Sequence, residues 1–190
     1  MDHSSNTLAR SLHDIGLATW FGGSLMGAIG LNSSAASVAD DDDSTDVAGA
    51  GWSAWTPVNL AAIGAYVVGG TVLTLSNRKR LAAQKGVGTT AIVKTALSAV
   101  ALAATGYSRV VGQRVIDAHD EAAEDGTTPS EATSDKVAAA QQQLSTLQWL
   151  IPATTGAIIV TSAVMGEQQR PGQVAGGIAE RLGERLHLAA

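Results

Sequence analysis

The residues best spaced for chemistry lie near the start of the chain. His13, Gly16, Trp20, Gly23, Gly27 and Gly30 follow one another at intervals of 3, 4, 3, 4 and 3. At about 100° per residue this spacing confines all six to one helical arc of roughly 100°. Such a face is nearly bare backbone, with an imidazole and an indole towards one end. It has two possible uses. Small residues let a second helix approach closely, Trp20 filling the gap that the glycines leave. Alternatively the face is a groove in which Trp20 stacks a ligand and His13 is a candidate ligand for a metal, a haem or a proton. A metal or haem site needs further ligands. The other histidines are badly placed for that role: His3 lies in the N-terminal stretch, His119 in a distant acidic loop and His187 near the C-terminus. Helix packing is therefore the expected use of Gly16, Trp20, Gly23, Gly27 and Gly30, and no cofactor is expected. The expected partner face carries Ala61, Ala65 and Gly69, which are four apart.

Other chemistry is sparse. The chain has no cysteine, which excludes disulfides, thiolate metal sites and thiol catalysis. Serine, histidine and aspartate occur, but without a nucleophile elbow, a phosphate loop or a zinc-helix motif, so no enzyme is expected. Lys94 and Arg109 fall inside apolar stretches, where charge usually marks a transport path. Lys94 is close enough to a stretch end to snorkel to the interface. Arg109 can pair with loop acids or reach the headgroups. Asn59, Ser98, Thr105, Thr161 and Ser162 read as interhelical hydrogen-bonding groups rather than a pore lining. The run Asp40 to Asp43 lacks the alternating ligands and turn glycine of a calcium loop, so a solvated acidic loop is expected.

Positioning these residues falls to four apolar stretches, over about 12–32, 55–76, 89–111 and 144–166. Each approaches the roughly 20 apolar residues that a bilayer crossing needs. The run from Leu60 to Leu73 is apolar nearly all round, whereas a helix of a water-soluble bundle keeps a single apolar stripe. Charge flips between the stretches. The first connection holds Asp40, Asp41, Asp42, Asp43 and Asp46 without a base, and the second holds Arg78, Lys79, Arg80 and Lys85 without an acid. The third is rich in acid again, and the tail returns to Arg170, Arg181 and Arg185. Arg10, the second connection and the tail thus share one side, which the positive-inside rule makes cytoplasmic. Trp52, Trp55, Tyr107 and Trp149 fall at the outer ends, the depth that amphipathic rings favour. The net charge of −5 sits mostly in the outer loops and excludes nucleic-acid binding as an expected role.

Local signals refine the picture. Arg10, the first apolar run and Ser37-Val38-Ala39 imitate a cleavable leader, but Trp20 and the regular glycine face point to a retained span. Thr128-Pro129-Ser130-Glu131 reads as a capping box that starts a helix running through Ala138–Gln143 into the fourth stretch. Pro152 is expected to kink that helix, with Thr154 or Thr155 satisfying a freed carbonyl. Residues 167–190 form a cytoplasmic tail in which Val174, Ile178, Leu182 and Leu186 are four apart, as in a short amphipathic helix.

Two resemblances attach to these residues. The stretch from Leu12 to Gly23, with His13 seven residues before Trp20-Phe21-Gly22-Gly23, resembles the opening helix of the copper-resistance protein D membrane region. That resemblance covers one helix and implies no complete metal site. Over its whole length the chain resembles a group of uncharacterised actinobacterial four-helix membrane proteins. The carrying motifs are Trp55-Thr56-Pro57-Val58-Asn59, Gly69-Gly70-Thr71, Glu124-Asp125-Gly126-Thr127-Thr128-Pro129 and Gly166-Glu167-Gln168-Gln169-Arg170-Pro171. It implies four spans and no particular activity.

The expectation is thus an all-α, polytopic protein of the plasma membrane. It forms one domain over residues 1–190, a four-transmembrane-helix bundle with both termini cytoplasmic. Its expected role is that of a non-enzymatic membrane component associating with itself or another membrane protein. The alternative is a metal, redox or small-solute binding or transport site near His13 and Trp20.

Overall fold

The computed structural model describes residues 3–37, 41–83, 86–118, 123–125, 127–131, 133–170, 172, 174–177 and 179–180. The fold is all-α apart from one tiny ribbon. Helix α1 (His3–Met26) passes through a π-helical segment (Gly27–Leu31) into α2 (Asn32–Ala35). It is followed by α3 (Asp41–Ala83), α4 (Val87–Ile116), strands β1 (Ala123–Asp125) and β2 (Thr128–Pro129), and α5 (Asp135–Glu167). Acidic residues open α3, where the positive end of the helix dipole favours them. Gly86, at φ 81°, makes the turn into α4, a backbone conformation that suits glycine.

Three helical segments, Asp46–Arg78, Val87–Ile116 and Asp135–Glu167, are long and apolar enough to cross a bilayer. This is a multi-pass membrane protein. Leu60, Ile92 and Val160 are 70%, 72% and 65% exposed on those segments, a surface that suits lipid and not water. Helix α1 is less apolar because Arg10, His13 and Asp14 sit in its first half.

The helices form an up-and-down ring with one weak seam. Helix α1 packs extensively on α3 and more lightly on α5, and α5 packs extensively on α4, whereas α3 and α4 touch sparingly. The core that joins them comprises Leu17 and Trp20 from α1, Tyr66 from α3, Ala101 and Ala104 from α4, and Leu147, Ile151 and Ile158 from α5. Arg10 donates to Gln169 Oε1 at 3.2 Å, so the start of α1 and the end of α5 lie at the same end of the bundle. At that end Gln168 also donates to Thr90 Oγ1 at 3.2 Å. At the other end Asn32 ties three elements, accepting from Trp52 Nε1 at 3.0 Å and donating to Gln148 Oε1 at 2.6 Å.

The α1–α3 contact is backbone on backbone. A Cβ on Gly16 would lie 2.4 Å from the Ala62 carbonyl oxygen, and one on Gly69 would lie 2.4 Å from that of Ala9. Further along α1, Gly23 and Gly27 seat the indole rings of Trp55 and Trp52. Gly30 leaves the face: the only atoms near its missing Cβ belong to Met26 of its own helix. The π segment explains this, since its wider turn rotates every later residue out of the 3.6-residue register. The α3 face also differs from Ala61, Ala65 and Gly69. It consists of Ala62, Tyr66 and Gly69, while Ala61 is exposed.

One local expectation changes, one is met in a different way and one falls mostly outside the described residues. The capping-box helix does not start at Thr128, because Thr128 and Pro129 pair with Asp125 and Ala123 in the ribbon. Helix α5 starts at Asp135 after an extended Ser134. Pro152 withholds an amide from the Gln148 carbonyl, yet Thr154 and Thr155 donate to the carbonyls of Leu150 and Ile151 at 2.7 and 2.8 Å. Of the amphipathic tail, 174–177 are helical and Val174 donates to Arg170 O at 3.0 Å; Ile178, Leu182 and Leu186 lie outside the described residues. The Asp40 to Asp43 side chains lie outside them too.

Leucine at Gly16 or Gly69 should therefore split α1 from α3. An overpacking cost of about 1–3 kcal/mol, or more where backbone is struck, should lower the detergent-solubilised unfolding midpoint. Alanine at Gly22 or Gly64, where a Cβ meets nothing within 4 Å, should leave that midpoint unchanged or raise it.

Candidate functional site

Two features meet at the centre of the bundle: a polar column and, above it, a cup. The column starts at His13, which is 5% exposed near the middle of α1. Its Nδ1–H donates to the Tyr66 carbonyl at 2.8 Å, since a carbonyl only accepts. This assigns the tautomer and leaves Nε2 as an acceptor, which receives Lys94 Nζ–H at 2.6 Å. Ser98 Oγ–H donates to the Lys94 carbonyl at 2.8 Å, so the Tyr66 hydroxyl is the donor in its short bond to Ser98 Oγ. The His13 and Tyr66 rings stack with centroids 4.4 Å apart, and Trp20 meets Tyr66 edge-on at 5.9 Å. Trp20 is fully buried, and its Nε1–H donates to Thr105 Oγ1 at 3.1 Å. Imidazole, phenol and indole thus cross-link α1, α3 and α4 below the middle of the bundle.

Lys94 consequently turns inward to α1 and does not snorkel to the interface. Both His13 nitrogens are occupied, so in this arrangement the ring offers a metal no lone pair. Among the described residues no group of three or more histidine, cysteine or carboxylate side chains is placed to hold a metal ion. His119 and His187 lie outside the described residues, as does the His3 side chain.

The cup lies between α3 and α4, where the ring of helices is loosest. Its volume is about 420 Å³, within the range of ligand clefts. Trp20, Ile63 and Leu102 line its floor, Trp52 and Trp55 one wall, and Thr127 between the two strands lies at its mouth. Gly49 faces Ile116 across the seam. Equal steps along the antiparallel helices then set Arg109 level with Thr56, and Asn59 about one turn deeper. Both residues line the cup. Arg109 is exposed and, among the described residues, makes no ion pair or hydrogen bond, so the expected pairing with a loop acid is not seen. Asn59 Oδ1 is buried without a hydrogen-bond partner.

The structure therefore separates His13 from Trp20 functionally. Trp20 lines the cup, whereas His13 does not and is stacked on Tyr66. Gly16, Gly23 and Gly27 serve the α1–α3 contact. Of the proposed interhelical hydrogen-bonding groups, Ser98 and Thr105 act between helices, while Thr161 and Ser162 donate to Ala157 and Ile158 carbonyls of their own helix at 2.7 Å. Tyr66 is the site residue that sequence reasoning missed. Its signal is a lone aromatic on the same face as Ala62 and Gly69, at 3–4 residue spacing.

No family model matches the chain, and no curated protein and no solved structure matches it either.

Replacing His13 by Leu should leave the Lys94 ammonium without its acceptor and lower unfolding stability by about 1–3 kcal/mol. Combining His13→Leu with Lys94→Met removes both partners and should recover most of that loss. Chemical unfolding in detergent reads both; strict additivity of the single losses would contradict the column.

Proposed function

We propose that the chain crosses the plasma membrane four times with both termini cytoplasmic, and that it is a non-enzymatic binding protein for a membrane-soluble ligand held in the cup. The observation carrying the function is the cup itself: mostly apolar walls, a floor of Trp20, Ile63 and Leu102, and sparse contact between α3 and α4 beside it. Such a floor favours binding over conduction. A seam facing lipid favours a ligand that arrives sideways from the bilayer.

Support for the fourth crossing is that α1 lies along α3 from the Ala9–Gly69 contact to the Gly27–Trp52 contact. A helix packed along a membrane span over that length shares its depth. Support for the orientation is charge. Arg10, Arg78 and Arg170 lie at one end of the bundle, and the segment 79–80 that continues α3 there adds two more bases in sequence, so this is the end that the positive-inside rule assigns to the cytoplasm. Gly16, Gly23 and Gly27 face α3, which leaves any association with a second protein to the lipid-exposed faces.

The cup offers clean tests. A Cβ on Gly106 or Gly112 would meet nothing within 4 Å, and both positions line the cavity. Gly112→Phe or Gly106→Phe should fill the cup while leaving the fold intact. In lipid nanodiscs, a photoreactive fatty-acyl probe should label Trp52 or Trp55 in the unsubstituted chain. Filling the cup should cut that labelling about tenfold, the factor that 1.4 kcal/mol of lost apolar contact produces. Equal labelling of all three proteins would end the proposal. For the topology, reporters fused to either terminus should report the cytoplasm.

A further inference from the structure

The cup has one cationic side chain, and its placement opposes the charge pattern of the rest of the protein. Arg109 lies in the outward half of α4, two turns or less from the helix end at Ile116. Among the described residues Arg10, Arg78 and Arg170 lie at the opposite end of the bundle. A guanidinium at membrane depth is expensive unless something anionic or hydrated meets it. Among the described residues nothing anionic does. Asp117, the described acid nearest in sequence, accepts from Gln113 Nε2 at 2.8 Å instead. One turn deeper, Asn59 holds a carboxamide whose oxygen is buried without a partner. Below that level the lining is Leu60, Ile63 and Leu102 with Thr105, whose hydroxyl oxygen already accepts from Trp20 Nε1. A cation at the upper wall, an unsatisfied amide beneath it and an apolar floor describe the negative image of an amphiphile with an anionic head.

We infer that the ligand of this cup is an anionic lipid of the outer leaflet, with one acyl chain descending to Trp20 and its phosphate held by Arg109. The inference rests on the cup being a binding site and adds the chemical class of its occupant. The guanidinium fork matches a phosphate bidentately. Asn59 can donate to the glycerol ester oxygens once its carboxamide rotates to face them. The loose α3–α4 seam lets the second chain remain in the bilayer, so the lipid need not leave the membrane to bind. Trp52 and Trp55 stand at the depth of the lipid backbone, where indole rings are favoured.

The test uses the full chain in detergent, with native mass spectrometry reading bound lipid. Dioleoyl phosphatidylglycerol and dioleoyl phosphatidylcholine share their chains and differ in net charge. The unsubstituted protein should prefer the phosphatidylglycerol about fivefold, the upper end for a half-exposed ion pair. Arg109→Gln should bring that preference to about unity while binding of both lipids persists. Gly112→Phe should remove both lipids. Millimolar inorganic phosphate should not displace the bound lipid. Equal binding of the two lipids by the unsubstituted protein, or displacement by phosphate, would overturn the anionic-lipid inference and leave the cup as a site. An unaltered preference in Arg109→Gln would overturn it as well. Lipid binding insensitive to Gly112→Phe would instead overturn the cup reading on which it rests.

Discussion

The backbone contact between α1 and α3 at Gly16 and Gly69 is the constraint from which the remaining geometry follows. In lipid there is no water to drive helices together, so packing and hydrogen bonds must do it. Two glycines placed against the Ala62 and Ala9 carbonyls let the helix backbones meet with nothing between them. That closeness brings His13 within reach of the Tyr66 carbonyl and lays its ring on the Tyr66 ring. It also draws Trp52 and Trp55 over Gly27 and Gly23, which turns both indoles towards α1.

Pulling α3 towards α1 has a consequence on its other side. Helix α4 is held by α5, so α3 and α4 are drawn to different neighbours and touch only sparingly, at places such as the Tyr66–Ser98 bond and the Gly49–Ile116 contact. The column of Trp20, Tyr66, His13 and Lys94 bridges the gap at lower depth through long side chains. Above it the gap stays open and becomes the cup. A single tight interface thus accounts for the seal and the opening together. His13, Tyr66, Ser98 and Trp20 in the column each make a donor-to-acceptor bond, which is what a low-dielectric interior demands.

Much of the site's framework is legible in the sequence, and its failures are physical. The 3.6-residue spacing identifies Gly16, Gly23 and Gly27 because helical period alone sets their direction. It fails at Gly30, where the π segment changes the period. The choice of α3 as partner is legible from small residues, but Ala61 and Ala65 mislead, since spacing does not say which of two small-residue stripes carries the aromatic that finds Ser98. Lys94 illustrates another limit: snorkelling and an inward bond to His13 are equally compatible with its position in the chain, and only the α1–α4 distance decides. The cup is invisible to periodicity because it arises where two helices touch only sparingly. Arg109 could be flagged as a base beside the acid-rich third connection, but not its lack of a partner.

The central claim is that the seam between α3 and α4 encloses a lipid-filled cup above a sealed column. The most direct measurement is a density map of the protein in nanodiscs of bacterial lipid, at a resolution that shows side chains. The account requires an elongated density between α3 and α4, ending on Trp20 and headed beside Arg109. Contact between α3 and α4 along their outer halves, with side chains filling the space, would contradict it.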